Sequence, residues 1–351
     1  MQGMGRMLKH IVAVGLGLSL AAMPAFAQDR SQSRSMVMSQ QGIVASESVL
    51  ASQAGARILE QGGNAVDAAI ATNAMMGLIA PMNDGIGGDL FAIVYEAKTG
   101  KLYGMNASGW APTGLTADYL LAKGMKEMPQ RGIYSVTVPG AVAGWDALRT
   151  RFGTKNFSEL LAPAIHYAEN GFPIGEVVSF YWRDSVDTLK ADAPTAKTFL
   201  VNGRAPVAGE MFRDPDLGWS YRQIASGGRD AFYKGEIAKK IVATEASHGG
   251  TMTAEDLALF QPEWVDPIST DYRGWKVYEL PPNGQGIAAL EMLNIMEPFQ
   301  LGKMGHNSAR ALHVMIEAKK LAYADMIRYD ADPRFAKIPV AGLNSKEIGR
   351  A

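Results

Sequence analysis

Blocks of helix-like and strand-like sequence alternate along this chain, which predicts an α/β or α+β fold built on a mixed, largely antiparallel sheet. Three stretches carry that prediction. Ala65 to Ile79 is small or apolar at nearly every position, with only Asp67, Thr72 and Asn73 clearly polar, and reads as a helix buried on several sides. Leu90–Tyr95 and Lys101–Ala107 flank Glu96 to Gly100, a hairpin with a glycine where a positive φ is often needed. Trp264–Tyr272 and Trp275–Leu280 flank Arg273-Gly274 and read as a second hairpin.

Taken in order, Met1 to Ala27 has the parts of a secretory signal peptide. Arg6, Lys9 and His10 form a basic start, Ile11 to Ala22 an apolar run, and Ala25-Phe26-Ala27 an A-x-A cleavage site. The apolar run is short for a membrane anchor, so cleavage and a bacterial periplasmic or secreted location are expected. Gln28 to Gln40, rich in Ser, Gln and Arg, reads as a mobile lead-in, and residues 41–351 form the body of the protein. Gly42 to Ser46 is a short strand candidate. Ser48 can cap a helix to Gln61, with Ala51, Ala54, Ile58 and Leu59 inward and Gly62-Gly63 ending it. Asn64 caps the buried helix, and Pro81 with Gly85, Gly87 and Gly88 breaks it.

Gly132 to Val138 is β-branched and strand-like, and Pro139 suits the first turn of a helix through Trp145 and Leu148 to Gly153. A helix from Ser158 to Asn170 closes at Gly171. Residues 172–232 mix short helical pieces with loops, and Lys234 to Ser247 is helical. Thr253 with Asp256 resembles a capping box. Pro281 to Gly286 is a turn into a helix reaching Met296, and Asn307 or Ser308 caps a long amphipathic helix to Tyr329.

Composition narrows the function. The chain has 351 residues, a formal net charge of −1 and no cysteine. No disulfide, thiol nucleophile or zinc–thiolate site is available. A near-neutral chain lacks the electrostatic footprint of a nucleic-acid or anionic-membrane partner, and no stretch in the mature part is long and apolar enough for a bilayer.

The catalytic signatures are incomplete. Gly85-Ile-Gly87-Gly88 follows a helix and precedes a strand, the reverse of a phosphate-binding loop. His313 with Glu317, and His166 with Glu169, have helical spacing but belong to no H-E-x-x-H motif. There is no G-x-S-x-G elbow and no S-x-x-K pair. Asn106-Ala-Ser108 and Asn156-Phe-Ser158 match the glycosylation sequon, a weak signal. Asp330-Ala-Asp332 lacks the spacing of a calcium loop, and Gly250-Thr251 looks like ordinary loop.

Gly62 to Ala71 followed by Gly85-Ile-Gly-Gly-Asp-Leu-Phe91 resembles the large-subunit signature of the γ-glutamyltransferase (glutathione hydrolase) family. Further matches follow in the family's order: Asn106 to Pro112, Val136 to Val142 before Trp145, Leu161 to Ile165, and Tyr233 to Glu236. Pro281 to Gly286 resembles the family's proline-led glycine turn, and His313 to Asp325 its long late helix. The resemblance covers residues 36–351. It implies an N-terminal nucleophile hydrolase fold, four layers αββα, of which this chain is the large-subunit part. It also implies a self-cleaving precursor and a threonine that attacks the γ-glutamyl amide with its own α-amine as base. The acyl-enzyme then passes to water or an amine, with no metal or organic cofactor.

That threonine opens the family's smaller subunit, so the nucleophile is expected beyond Ala351, in a threonine-led partner from the same precursor. This chain alone is expected to be inactive. Transpeptidases of the family carry an arginine shortly before the Ala-Pro that is here Ala111-Pro112, paired with the substrate's α-carboxylate. Ser108 stands at that position with Trp110 beside it, and both are candidate substrate contacts. The missing charge would have to come from Arg131 or another cation. Asn106-Ala-Ser-Gly is similar to the acylase-like branch, which takes glutaryl-type groups. A γ-glutamyl amide, another acyl amide, and a non-catalytic binding role are the readings that follow.

Overall fold

A computed structural model describes residues 36–348, so the signal-peptide stretch Met1 to Ala27 and the first part of the lead-in lie outside the described residues. Residue contacts divide the chain after Ile43. Residues 36–43 hold no helix or strand, and the Gln41 N–H donates to Ser39 Oγ at 3.2 Å.

From Val44 the order is α1 (Val49–Glu60), α2 (Ala65–Ile79), β1 (Leu90–Glu96), β2 (Lys101–Ala107), α3 (Ala117–Ala122), α4 (Ala141–Phe152) and α5 (Phe157–Asn170). Then come β3 (Phe172–Pro173), α6 (Glu176–Asp184), α7 (Val186–Lys190), α8 (Ala193–Phe199), β4 (Met211–Phe212), α9 (Pro215–Tyr233), α10 (Glu236–Ser247) and α11 (Ala254–Leu259). The chain continues with β5 (Glu263–Val265), β6 (Ile268–Tyr272), β7 (Trp275–Glu279), α12 (Gly286–Met296), α13 (Ala309–Tyr329) and α14 (Val340–Leu343). The strands pair antiparallel in the orders β1-β2-β5, β3-β4 and β6-β7. The fold is α+β.

Helix α2 is the centre. Its cap is a reciprocal box: Asn64 Oδ1 accepts from the N–H groups of Val66 and Asp67, and Asp67 Oδ2 accepts from the Asn64 N–H. With Ile70, Met75, Leu78 and Ile79 all buried, each such side chain contributes about 1.5–3 kcal/mol through loss of apolar surface to water. Helices α1, α4 and α5 pack on α2, and α4 also packs on β1 and β2. Two buried aromatic side chains find polar partners on α2. Tyr221 Oη donates to Ala74 O at 2.7 Å, and Trp145 Nε1 to Asn73 Oδ1 at 2.7 Å. A second unit of packing joins α12 to α13 and to β6 and β7. Helix on sheet therefore occurs twice, as in the two outer pairings of an αββα sandwich. No helix among the described residues is long and apolar enough to cross a membrane.

Four expectations about elements need correction. Gly42 to Ser46 is not a strand, because no strand among the described residues pairs with it. Gly132 to Val138 is not one either. Gly132 has φ 93°, and both the Ser135 N–H and its Oγ–H donate to Gly132 O, closing a 3-10 turn in place of a ladder. The stretch from Trp264 to Tyr272 is broken at Asp266-Pro267, where proline has no N–H for a ladder. Its first part becomes β5 on β2, and its second pairs with β7. Residues 172–232 end in a long helix, α9, capped by Asp214 and opened by Pro215. Gly218 and Gly227-Gly228 make that sequence look like loop, and Gly228, at φ 62°, kinks the helix.

Glu291 on α12 is 1% exposed, and its Oε1 has no hydrogen-bond partner. Burial, then the hydrogen bond and charge of Asp325 on α13, push its carboxyl up to about 7. A raised carboxyl binds its proton more tightly folded than unfolded. Its contribution is fully present below the unfolded value of about 4.3 and is lost as pH rises through about 7. Glu291→Gln is expected to flatten stability between pH 5 and 8, gaining about 2–3 kcal/mol on wild type at pH 8 and little at pH 5. Denaturation midpoints of the two proteins at both pH values check this, and parallel profiles would refute it.

Candidate functional site

The candidate site forms where β2 ends. Asn106 stands opposite Phe91 on β1 and Glu263 on β5, so these three share one face of the sheet. Its neighbours Met105 and Ala107 are fully buried on the other face, under the helices. Beyond β2 the chain is tied down on both sides. The Gly109 N–H donates to Asp89 Oδ1 at 3.0 Å, and the Val138 N–H donates to Trp110 O at 3.0 Å. The Gly140 and Ala141 N–H groups, at the start of α4, both donate to Gly88 O. The glycine turn thus delivers a carbonyl to a helix start. A Cβ at Gly85 or Gly87 would meet no atom within 4 Å, so neither glycine is there for close packing.

Ser108 sits in a closed polar ring. Its N–H and Oγ–H donate to Asn106 Oδ1, both at 2.9 Å, while Asn283 Nδ2 donates to Ser108 Oγ at 3.0 Å. Asn106 Nδ2 completes the ring by donating to Asn283 Oδ1 at 2.7 Å. Two clefts meet at this ring, and Ser108 and Asn283 line both. One, of about 430 Å³, also has Trp110, Phe260, Glu263, Asp332, Arg334 and Lys337 in its wall. The other, of about 550 Å³, runs along Asp89, Phe91 and Ile93 of the sheet to Gly284 and Gln285.

Charge enters the first cleft through Arg334. Its Nε donates to both carboxylate oxygens of Asp332, at 3.0 and 3.1 Å, and Nη2 donates to Asp332 Oδ2 at 2.6 Å. Nη1 lies 3.7 Å from Glu263 Oε1, an ion pair too long to be a hydrogen bond. The guanidinium carbon is 5.4 Å from the centre of the Trp110 ring, which in turn meets Phe260 edge-on at 5.3 Å. The hydrogen bonds to Arg334 hold the Asp332 carboxyl below its usual range, and the same bonds hold the guanidinium above its own.

The structure thus brings Ser108 and Trp110 into one cleft and adds Asn283, Glu263 and Arg334. Asn283 lay within the proline-led turn, but only the folded chain puts it against Ser108. Arg334 carries no sequence signal, being more than two hundred residues away. Arg131 belongs elsewhere. Its Nη1 donates to Thr188 Oγ1 at 2.8 Å in a third cleft, with Trp182 and His248, that shares no lining residue with the other two.

The remaining candidates are structural. Glu317 pairs with Lys320 at 2.9 Å and Glu169 with Arg222, leaving His313 and His166 without a carboxylate partner on their own helices. No cluster of three or more metal-ligating side chains occurs among the described residues. Thr251 lies in a loop against Gly114 with a buried hydroxyl. Among the described residues Ser108 Oγ bonds Asn106 and Asn283, with no histidine or carboxylate placed to act as its base.

The family model described as gamma-glutamyltranspeptidase matches residues 51–351. A glutathione hydrolase-like proenzyme, YwrD, of Bacillus subtilis strain 168 is 39% identical over 309 residues, covering 88% of this chain and 58% of that protein. An acylase ACY 1 proenzyme of Pseudomonas sp. strain SE83 is 35% identical over 316 residues, covering 87% and 56%. Among solved structures, a γ-glutamyltranspeptidase of Helicobacter pylori matches with a TM-score of 0.84 at 31% identity, over 90% of this chain and 93% of that one. A cephalosporin acylase from Bacillus halodurans matches with a TM-score of 0.82 at 41% identity, over 91% and 61%. The chain spans little more than half the length of these curated relatives. The fold is that of the N-terminal nucleophile hydrolases to which these neighbours belong.

Proposed function

We propose that this chain, which belongs to the γ-glutamyltranspeptidase family of enzymes, is the large-subunit region of an exported amidohydrolase that cleaves the γ-glutamyl amide of glutathione or related compounds. A threonine heading the small subunit of the same precursor attacks the amide carbonyl and passes its proton to its own α-amine. The C–N bond breaks, the amine leaves with that proton, and water or a second amine then cleaves the threonine ester. No metal or organic cofactor takes part.

The observation that carries this reading is where the polar ring sits. Asn106, Ser108 and Asn283 lie at the end of a sheet whose outer face presents Phe91, Ile93 and Tyr95 at 47%, 40% and 63% exposure. An apolar sheet face of that kind calls for a covering layer, and β1 is an edge strand able to take a neighbour. A threonine-led strand laid there would bring its hydroxyl toward the two clefts.

The cleft also carries charges of both signs, Arg334 and Lys337 against Glu263 and Asp332. That mixture suits a γ-glutamyl group, whose α-carbon bears an ammonium and a carboxylate. The acylase reading draws on the neutral Ser108 ring, since a glutaryl group lacks the ammonium. Enzyme matured from the full-length precursor and given γ-glutamyl and glutaryl anilides decides between them. The γ-glutamyl compound is expected to have the larger kcat/KM, by about 10-fold, the worth of one charge-assisted hydrogen bond. The opposite preference favours the acylase, and turnover of neither removes the amidohydrolase reading.

A further inference from the structure

We infer that Arg334 is the specificity residue of the Ser108 cleft, binding acyl groups that end in a carboxylate; this rests on the amidohydrolase reading above. The guanidinium has five N–H donors in a rigid fork. Asp332 occupies the Nε and Nη2 side of the fork. Nη1, turned away from Asp332, has only the 3.7 Å contact with Glu263, which is no hydrogen bond. Its two N–H groups, with the second N–H of Nη2, are the donors that no hydrogen bond among the described residues takes up, in the cleft that Arg334 lines.

Holding matters as much as charge. A free arginine on a loop loses rotamer freedom when it binds a ligand. Arg334 is already held along its fork by Asp332 and set above the Trp110 ring, and Trp110 is itself fixed by Phe260 and by the Val138 N–H on its carbonyl. The cation is therefore pre-positioned within the cleft that Ser108 and Asn283 close at their shared wall. Ser108 contributes a neutral contact and the chain supplies charge from a segment far away in sequence. Lys337 is the other cation of this cleft, exposed and without an ion pair among the described residues. Nothing fixes its ammonium, so its contribution is the smaller one.

The test compares the glutaryl anilide with its glutaramoyl analogue, in which a neutral amide replaces the terminal carboxylate at the same size. Both are given to matured full-length enzyme. Arg334→Gln is expected to lower kcat/KM for the glutaryl compound about 10- to 100-fold, mostly through KM, and to change the glutaramoyl compound less than about 3-fold. Arg334→Lys keeps the charge without the fork and is expected to recover part of the loss. The glutaramoyl rate on each variant reports whether the enzyme is still folded and matured. Equal losses on both compounds, or no loss on either, would overturn the assignment. A selective loss seen only in Lys337→Gln would move the role to Lys337 and overturn it as well. Wild-type enzyme that turns over neither of these compounds nor the γ-glutamyl anilide removes the underlying reading instead. Turnover of the γ-glutamyl anilide alone, undiminished in Arg334→Gln, would overturn the assignment, so the two failures are separable.

Discussion

Replacing Asp67 with asparagine is expected to lower the unfolding free energy by about 3–4 kcal/mol, the range for breaking a buried, charged hydrogen-bond hub. Asp67 is completely buried. Its two oxygens accept from the Asn64 N–H at 2.9 Å, the Thr154 N–H at 3.0 and 3.1 Å, Thr154 Oγ1 at 2.6 Å and the Lys155 N–H at 3.2 Å. Asn64 Nδ2 adds a bond to Phe152 O at 2.6 Å. One side chain thus joins the start of α2 to the link between α4 and α5. Asparagine keeps one acceptor oxygen but turns an NH₂ toward N–H donors, leaving several of them unmatched. Burial raises the Asp67 carboxyl, and the hydrogen bonds to Thr154, Asn64 and Lys155 outweigh it, so the net direction is down. A lowered carboxyl contributes stability that is present above its unfolded value and lost as pH falls through its folded value. Asp67→Asn should therefore lose most at neutral pH and converge on wild type in acid, opposite in sign to the Glu291 profile. Denaturation midpoints at pH 7 and pH 3 measure both; a loss below about 1 kcal/mol at pH 7 would show that the donors find other partners.

That hub shows how far the sequence could be read. Asn64 as a cap, the buried run to Ile79 and the Thr253–Asp256 box were legible because a cap and its partner lie three residues apart. The hairpin at Gly100 was legible for the same local reason, and its φ is 67°. Asp67 reaching Thr154, and Asn106 reaching Asn283, were not legible, since nothing local records a contact across 87 or 177 residues. The errors have a common cause. Gly132 to Val138 has strand composition, but a strand needs a partner, and the partner is decided by the whole fold. In the candidate site, the resemblance pointed to Ser108 and Trp110, which line one cleft. It left the origin of the cation open between Arg131 and others, and only the folded chain separates Arg131, in its own cleft, from Arg334, over Trp110.

The backbone beneath the site leaves no room for a side chain, which makes Gly109→Ala the substitution with the largest expected effect on activity. A Cβ at Gly109 would stand 1.7 Å from Val138 O, and one at Gly140 would stand 1.8 Å from Ala107 O. Gly140 has φ −103°, open to any residue, so the requirement there is space and not conformation. Both obstructing atoms are backbone oxygens, which cannot swing aside as the end of a side chain would. The two contacts are reciprocal, because each glycine admits a carbonyl from the strand or turn that the other belongs to. Adding a methyl at Gly109 must separate Ser108–Trp110 from Val138 and stretch the bond from the Val138 N–H to Trp110 O. Ser108 would then leave Asn283, and Trp110 would leave the Arg334 guanidinium. A displacement near 1 Å in positioning residues costs about 100-fold in rate, and that loss in kcat/KM is expected for Gly109→Ala in matured enzyme. Gly140→Ala acts deeper, prying β2 from α4, and is expected to cost about 3 kcal/mol of stability, the upper range for overpacking a core. Far-ultraviolet circular dichroism and anilide kinetics on the two variants distinguish the effects. Near-wild-type kinetics for Gly109→Ala would mean that the loop can shift without disturbing the ring, and that Ser108 and Trp110 do not touch the substrate.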